Sequence, residues 1–289
     1  MKKGDLPKSK LPFQLTGRKL FQDFTRMPLQ KALQGRWRWL PLVGILVLFS
    51  CFPFFAKVSL TWLATKFIIL ALFAVAFNFA LGLTGLFSLG HGGLFGVGLY
   101  AFSLSMIKGG VSLPYALMFA MALTTIIGSI IGWFSIRSKG VYFAILTLAF
   151  SQLIWVVIWK WRTFTGGDDG LTGLIVPSLI NSPIRQYFFI LAIVAVAITV
   201  MQITTNSCLG FTFKAIRENP QRAEAIGLNV ARYKLISFAI SSMFTGLAGA
   251  LFGLFMRGAF VEFASIAKSF EPLWAVVVGG AGNIIAGPI

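Results

Sequence analysis

The sequence predicts an all-α polytopic integral membrane protein. It reads as about eight transmembrane helices, some broken at glycine-rich stretches, with one short helix on the cytoplasmic side. Three observations carry this reading. Of the 289 residues, 57% are hydrophobic and only 11% are charged, too little polar surface to cover a soluble core of this size. Mean hydropathy is +0.84, and several apolar runs reach the ~20 residues that cross a bilayer at 1.5 Å per residue. Those runs lack strict alternation, which favours helices over a barrel.

The first element is a basic arm, residues 1–38, with ten of the 25 Lys and Arg residues. In "RKLFQDFTRMPLQKAL", Leu20, Phe21, Phe24, Met27, Leu29, Ala32 and Leu33 recur at helical intervals. An amphipathic segment on the inner leaflet fits, ending at Trp37 and Trp39 at the interface; a disordered basic tail is the other reading. No signal peptide is expected, because the charged region is too long and no small-x-small cleavage site follows.

The transmembrane domain follows over residues 39–289. Its spans read as 40–56, 62–81, 86–107, 113–136, 140–159, 187–205, 231–256 and 271–289. Charge orients them. Arg137 and Lys139 sit in one turn, and residues 206–234 add five more basic side chains. With these and the arm on the cytoplasmic side, only eight basic residues remain elsewhere, a positive-inside asymmetry. The net charge of +17 therefore orients the chain and meets lipid headgroups. No soluble basic fold is present to bind nucleic acid. Cys51 and Cys208 fall at opposite membrane depths, which excludes a disulfide, and His91 is the only histidine. No metal and no cofactor are expected.

The stretch "GLTGLFSLGHGGLFGVG", residues 82–98, holds seven glycines and that histidine. Gly92 with Gly96, Gly128 with Gly132 and Gly249 with Gly253 have helix-packing spacing. For the later two pairs, close packing is the expected role. The first stretch is denser, and its glycines cannot share one helix face. A broken helix lining a cavity explains it, with unwound backbone exposed to the pathway. On this reading Gly85, Ser88, His91, Gly92 and Gly93 line a substrate pathway. A Ser88–His91 catalytic dyad lacks an orienting acid. "GVGLYA" has no preceding strand, and no phosphate-binding P-loop occurs in the chain.

Two further glycine clusters follow. "TGGDDGLTG", residues 165–173, falls in an outside loop, where Asp168 and Asp169 are either a solvated turn or a contact for an external protein partner. Lys160, Arg162 and Arg185 flank it. "VVVGGAGNIIAGP", residues 276–288, reads as a second broken helix or as a turn.

Residues 207–234 form the most polar interior segment, with its short cytoplasmic element within 207–230. In "NPQRAEAIG", Asn219 is a good N-cap, Pro220 occupies the first helical position, and Gly227 can end the helix in the left-handed conformation. So short a helix needs something to dock against.

"AIRENPQRAEAIGLNVARYKLISFAISSMFTGLAGALFG" resembles the cytoplasmic coupling segment and following span of LivM-type permeases, the branched-chain amino acid subunits of ABC importers. "GLTGLFSLGHGGLFGVGLYA", "GVYFAILTLAFSQ", "TGGDDGLTG" and "VVVGGAGNIIAGP" extend the resemblance, in order, from about residue 78 to 288. It implies two separate ATPase subunits, a second and different permease, an extracytoplasmic solute-binding protein and an amino-acid substrate, in a bacterial inner membrane. It also implies no enzyme activity in this chain. The coupling segment would press into an ATPase cleft: Arg217, Glu218, Arg222 and Glu224 as polar contacts, Ala223, Ala225 and Ile226 as the docking face, and Gly227 as its end. The basic arm lies outside the family pattern, which also continues past Ile289, so a shortened or partial permease is implied. A related permease for urea or short amides, and an independent secondary transporter, are the alternatives.

Overall fold

Length and apolarity decide which helices can cross a bilayer. The computed structural model describes residues 57–279, apart from 139, 178 and 179, together with a few residues between 44 and 53. Its helices are α1 (Val58–Thr84), α2 (His91–Ile107), α3 (Leu113–Ser135), α4 (Val141–Lys160), α5 (Arg162–Thr165), α6 (Pro183–Asn206), α7 (Cys208–Glu218), α8 (Pro220–Ala225), α9 (Val230–Met256) and α10 (Ile266–Gly279). Among the described residues, α1, α3, α4, α6 and α9 are long and apolar enough to span a membrane, and α2 is a shorter apolar helix. The basic arm, most of the first predicted span, Cys51, Lys139 and residues 280–289 lie outside the described residues.

The boundaries move where side chains override hydropathy. The span expected to begin at residue 86 starts its helix at His91. The span expected from residue 187 begins at Pro183, where Ser182 is extended and the proline sits in the first turn. The helix that opens the last predicted span begins at Ile266, with Lys268 and Glu271 paired within it.

A core of α1, α2 and α9 is wrapped by the other spans. Phe73, Phe77, Phe95 and Phe252 are fully buried there. On α3, α4 and α6, Ile126, Ile145 and Val196 are exposed, a disposition that suits lipid. Lipid removes most of the hydrophobic drive between helices, so close packing must hold them together. Glycines supply it. A Cβ on Gly98 would lie 2.6 Å from Gly246 Cα, and one on Gly249 would lie 3.0 Å from the Leu99 nitrogen. Gly132 faces Phe238, and Gly253 faces Leu99 and Ser103, the packing role expected of those pairs.

The bundle has two dressed ends. At one, the segment after α4 makes α5, a 3-10 turn (Gly167–Asp169) and β1 (Leu171–Thr172). β1 pairs antiparallel with β2 (Gly258–Ala259), Leu171 opposite Ala259 and Thr172 opposite Gly258. Lys108, just past α2, donates to the carbonyls of Thr163 and Phe164. α6, about 36 Å long at 1.5 Å per residue, carries the chain to the other end. There α7 buries Gly210, Phe213 and Ile216, with Phe213 edge-on to Phe79 of α1.

Candidate functional site

The glycine-rich stretch is a break between two helices. Gly85, at φ 70, closes α1; its N–H donates to Leu81 O, and the N–H of Leu86 reaches back to Ala80 O. Residues 86–90 are irregular, and α2 starts at His91. A helix start leaves N–H groups without partners, and at this depth no water is at hand. Hydroxyls take them. Leu89 N–H donates to Thr147 Oγ1 (3.1 Å), Gly90 to Ser88 Oγ (3.1 Å), Gly92 to Ser269 Oγ (3.0 Å) and Gly93 to Ser151 Oγ (2.9 Å). Three of the four acceptors come from α4 and α10.

Glycine is what lets those hydroxyls in. A Cβ on Gly92 would lie 2.7 Å from the Ser269 nitrogen, and one on Gly93 would lie 2.8 Å from Ser151 Cα. Gly98 faces α9 and Gly96 faces Ala264. The glycines spread round α2 because α2 has neighbours on every side.

His91 joins three helices. Its Nε2 lies 2.9 Å from Ser241 Oγ, and that hydroxyl donates to Ala76 O at 2.6 Å. Since the serine's one proton goes to the carbonyl, the proton in the His91–Ser241 bond belongs to Nε2. Phe77 and Phe238 meet the imidazole edge-on. Ser241 is eleven residues into α9, and Ala76 is eight from the end of α1, which puts His91 near mid-bundle. The five residues read from sequence as a pathway lining are thus brought together, but only Gly85 is exposed. Ser88, His91, Gly92 and Gly93 are buried, and none is open to a solute in this conformation.

The cytoplasmic segment is built from its own sequence. Asn219 is extended, its side chain accepts from Arg222 N at 2.9 Å, Pro220 opens α8, and Gly227 turns out at φ 89. Ala223 is 3% exposed and packs with Ile216 and Val230. It anchors the helix to its own chain and is not part of an outward docking face, a correction to the expectation above. Arg217 and Glu218 belong to α7, not to the short helix. Arg217 Nη1 donates to Gly82 O at 2.5 Å, a cation on the last turn of α1. Arg222, Glu224, Ala225, Ile226 and Gly227 remain exposed.

At the opposite end, Asp168 Oδ1 accepts from Trp159 Nε1 at 2.5 Å, and its Oδ2 lies 3.9 Å from Arg162. Both members of that ion pair are well exposed, so it contributes little. Asp169 is exposed beside it.

The sequence pattern of the family described as "branched-chain amino acid transport system / permease component" matches residues 59–289. The chain belongs to this family. It is 28% identical over 274 residues to the high-affinity branched-chain amino acid transport system permease protein LivM of Escherichia coli, covering 85% of this chain and 64% of that protein. It is 25% identical over 175 residues to a probable LivM of Methanocaldococcus jannaschii, covering 58% of this chain and 51% of the relative. It is also 31% identical over 112 residues to the nucleoside ABC transporter permease protein NupC of Lactococcus lactis, covering 36% and 35%. The chain therefore spans just under two thirds of the length of the LivM protein it matches over most of its own. No solved structure gives a significant match.

In a permease of this family, ionisable groups within the bundle are costly and point to function. Sequence reasoning assigned no role to one of them. Lys268, in α10, is 3% exposed, and its Nζ donates to Glu271 Oε2 at 2.5 Å. "KSFE" carries the signal, two opposite charges three apart at the edge of an apolar run. The charges read there as a boundary because hydropathy scores them singly.

Proposed function

We propose that the chain is the permease subunit of an ATP-driven importer of branched-chain amino acids. It works with two ATPase subunits, a second and different permease and an extracytoplasmic solute-binding protein, in a bacterial inner membrane with its N-terminus and residues 207–230 in the cytoplasm. One observation carries the coupling part of this reading. α8 is capped at its start and anchored by Ala223, yet it leaves Ile226 76% exposed beside exposed Arg222, Glu224 and Ala225. A capped, anchored helix with an outward apolar tip transmits a push that a loose loop would absorb. Arg217 and Glu218 support it from α7, and Arg217 ties it to α1.

The pathway follows from the break. Motion that parts α2 from α4 and α10 frees the N–H groups of Gly92 and Gly93 from Ser269 and Ser151. A substrate carboxylate can then take the same donors at the positive end of α2. Gly85, Ser88 and His91 shape that wall. Asp168 and Asp169 face the compartment where a binding protein would dock.

The test is uptake by the assembled transporter in proteoliposomes. Leucine import should require ATP and stop with vanadate. Ile226→Glu, a substitution at an exposed site with little cost to folding, should lose ATPase association and at least tenfold in uptake. Wild-type coupling in that variant would remove α8 from the mechanism. Vanadate-insensitive import would favour a secondary transporter, and competition by a nucleoside but not by isoleucine would move the substrate class.

A further inference from the structure

Lys268 holds a cation inside the bundle. Its ammonium lies 4.9 Å from the ring centroids of Phe95 and Phe252 and 5.6 Å from that of Phe263. These rings come from α2, α9 and the 3-10 turn Val261–Ala264. Three aromatic faces with a carboxylate make a cation site, and here the chain's own lysine fills it. The open half of the arrangement is Glu271. Its side chain is 48% exposed, and Oε1 has no hydrogen-bond partner among the described residues. Lys66 of α1 is also exposed and lies within electrostatic range of Lys268.

Ionisable side chains within membrane spans face a partner or water, because lipid does not solvate them. Glu271 and Lys66 therefore mark a face turned to water or to a partner subunit. We propose that Glu271 is a substrate-contacting residue, its free Oε1 accepting a hydrogen bond from the α-ammonium of a zwitterionic amino acid. Lys66 supplies the opposite charge for the carboxylate. Lys268 is a positioning residue that holds Glu271 aimed through its bond to Oε2. A lone carboxylate would hold the ammonium too tightly to release it. One already neutralised on one side binds and lets go, which passage requires. This inference rests on the reading of the chain as an amino-acid permease.

The test uses the assembled transporter with Cys51→Ala and Cys208→Ala, and leucine uptake driven by ATP. Without uptake in the wild type, the amino-acid reading fails, and this inference with it. With uptake in the wild type, Glu271→Cys isolates the inference. It should be inactive, react with impermeant thiosulfonates more slowly during leucine turnover, and recover uptake with a sulfonate adduct but not with a trimethylammonium one. An unreactive thiol in Glu271→Cys, or equal uptake with both adducts, would overturn the proposal. Glu271→Gln guards against a cysteine variant that does not assemble. Its uptake should fall roughly ten- to hundredfold, as expected for one charge-assisted hydrogen bond, at unchanged recovery of transporter. Wild-type uptake in Glu271→Gln, or failure of both variants to assemble, assigns Glu271 to the fold alone.

Discussion

At residue 90 and at residue 219 the chain does the same thing: it leaves an irregular stretch, starts a helix, and must find acceptors for the first N–H groups. The two solutions differ in reach. At residue 219 the acceptor is Asn219 itself, bonded to Arg222 three residues on. At residue 90 the acceptors for Leu89, Gly92 and Gly93 are Thr147, Ser269 and Ser151, 58 to 177 residues away. A helix start facing water can be finished locally, since water takes what the cap does not. A start inside the bundle has no such reserve, so the fold brings hydroxyls from other helices. Local capping leaves α8 free to present a face, whereas remote capping welds α2 to α4 and α10.

The most severe break falls on another contact of α2, its close backbone approach to α9. Gly98→Val puts a branched side chain where Gly246 Cα already sits 2.6 Å from a Cβ position. Overpacking against backbone, which cannot move aside as a side chain does, should cost about 3 kcal/mol or more. The expected result is no monodisperse protein in detergent, read by size-exclusion chromatography. A normal yield would mean that α2 and α9 can part without loss. Gly92→Leu meets the Ser269 backbone in the same way, so its loss of uptake would report folding before it reported transport.

A milder change keeps the backbones together and removes only the acceptors. Ser151→Ala with Ser269→Ala leaves the N–H groups of Gly92 and Gly93 buried and unpaired. Each should cost about 1–3 kcal/mol, seen as a lowered melting temperature of the purified protein. Roughly additive single variants would mean two independent caps. Strong non-additivity would mean that the hydroxyls act through one shared shift of α2.

The same contrast explains what could be read from sequence. Asn219, Pro220 and Gly227 signal one helix within nine residues, and the structure shows that helix as α8. The five long spans among the described residues were legible because length and apolarity are local sums. The density of glycines at residues 82–98 was legible as an anomaly, but not the surface each one meets. Gly93 differs from Gly98 only through which helix lies opposite. Ser151 and Ser269 looked like ordinary small polar residues in apolar runs, since nothing nearby in sequence names the N–H they accept. Ala223 was misread for a related reason: on so short a helix, one inward position is set by where Ile216 and Val230 happen to lie. Lys268 needed three rings from three distant segments before its place was visible.

The smallest expected effect falls on the locally finished helix. Asn219→Ala removes one cap at an exposed site, worth about 1 kcal/mol. That energy belongs to α8 alone, since Ala223 and the α7 packing continue to hold the segment. Global melting of the protein should not move, because a frayed exposed turn opens below the global transition. Hydrogen exchange at Ala223, whose bond to the Asn219 carbonyl is kept, should quicken about fivefold, the ratio that corresponds to such a loss in local opening. Coupling should weaken only as far as the folded fraction of α8 falls, since affinity for an ATPase cleft follows the population of the shape it receives. A fall in that fraction with unchanged ATPase affinity would separate the two, meaning that the cleft folds α8 on contact and preformed shape is not what transmits the push. A fall with a matching loss of affinity would place the value of Asn219 in preorganisation, the property that the remotely capped break at α2 obtains from the whole bundle.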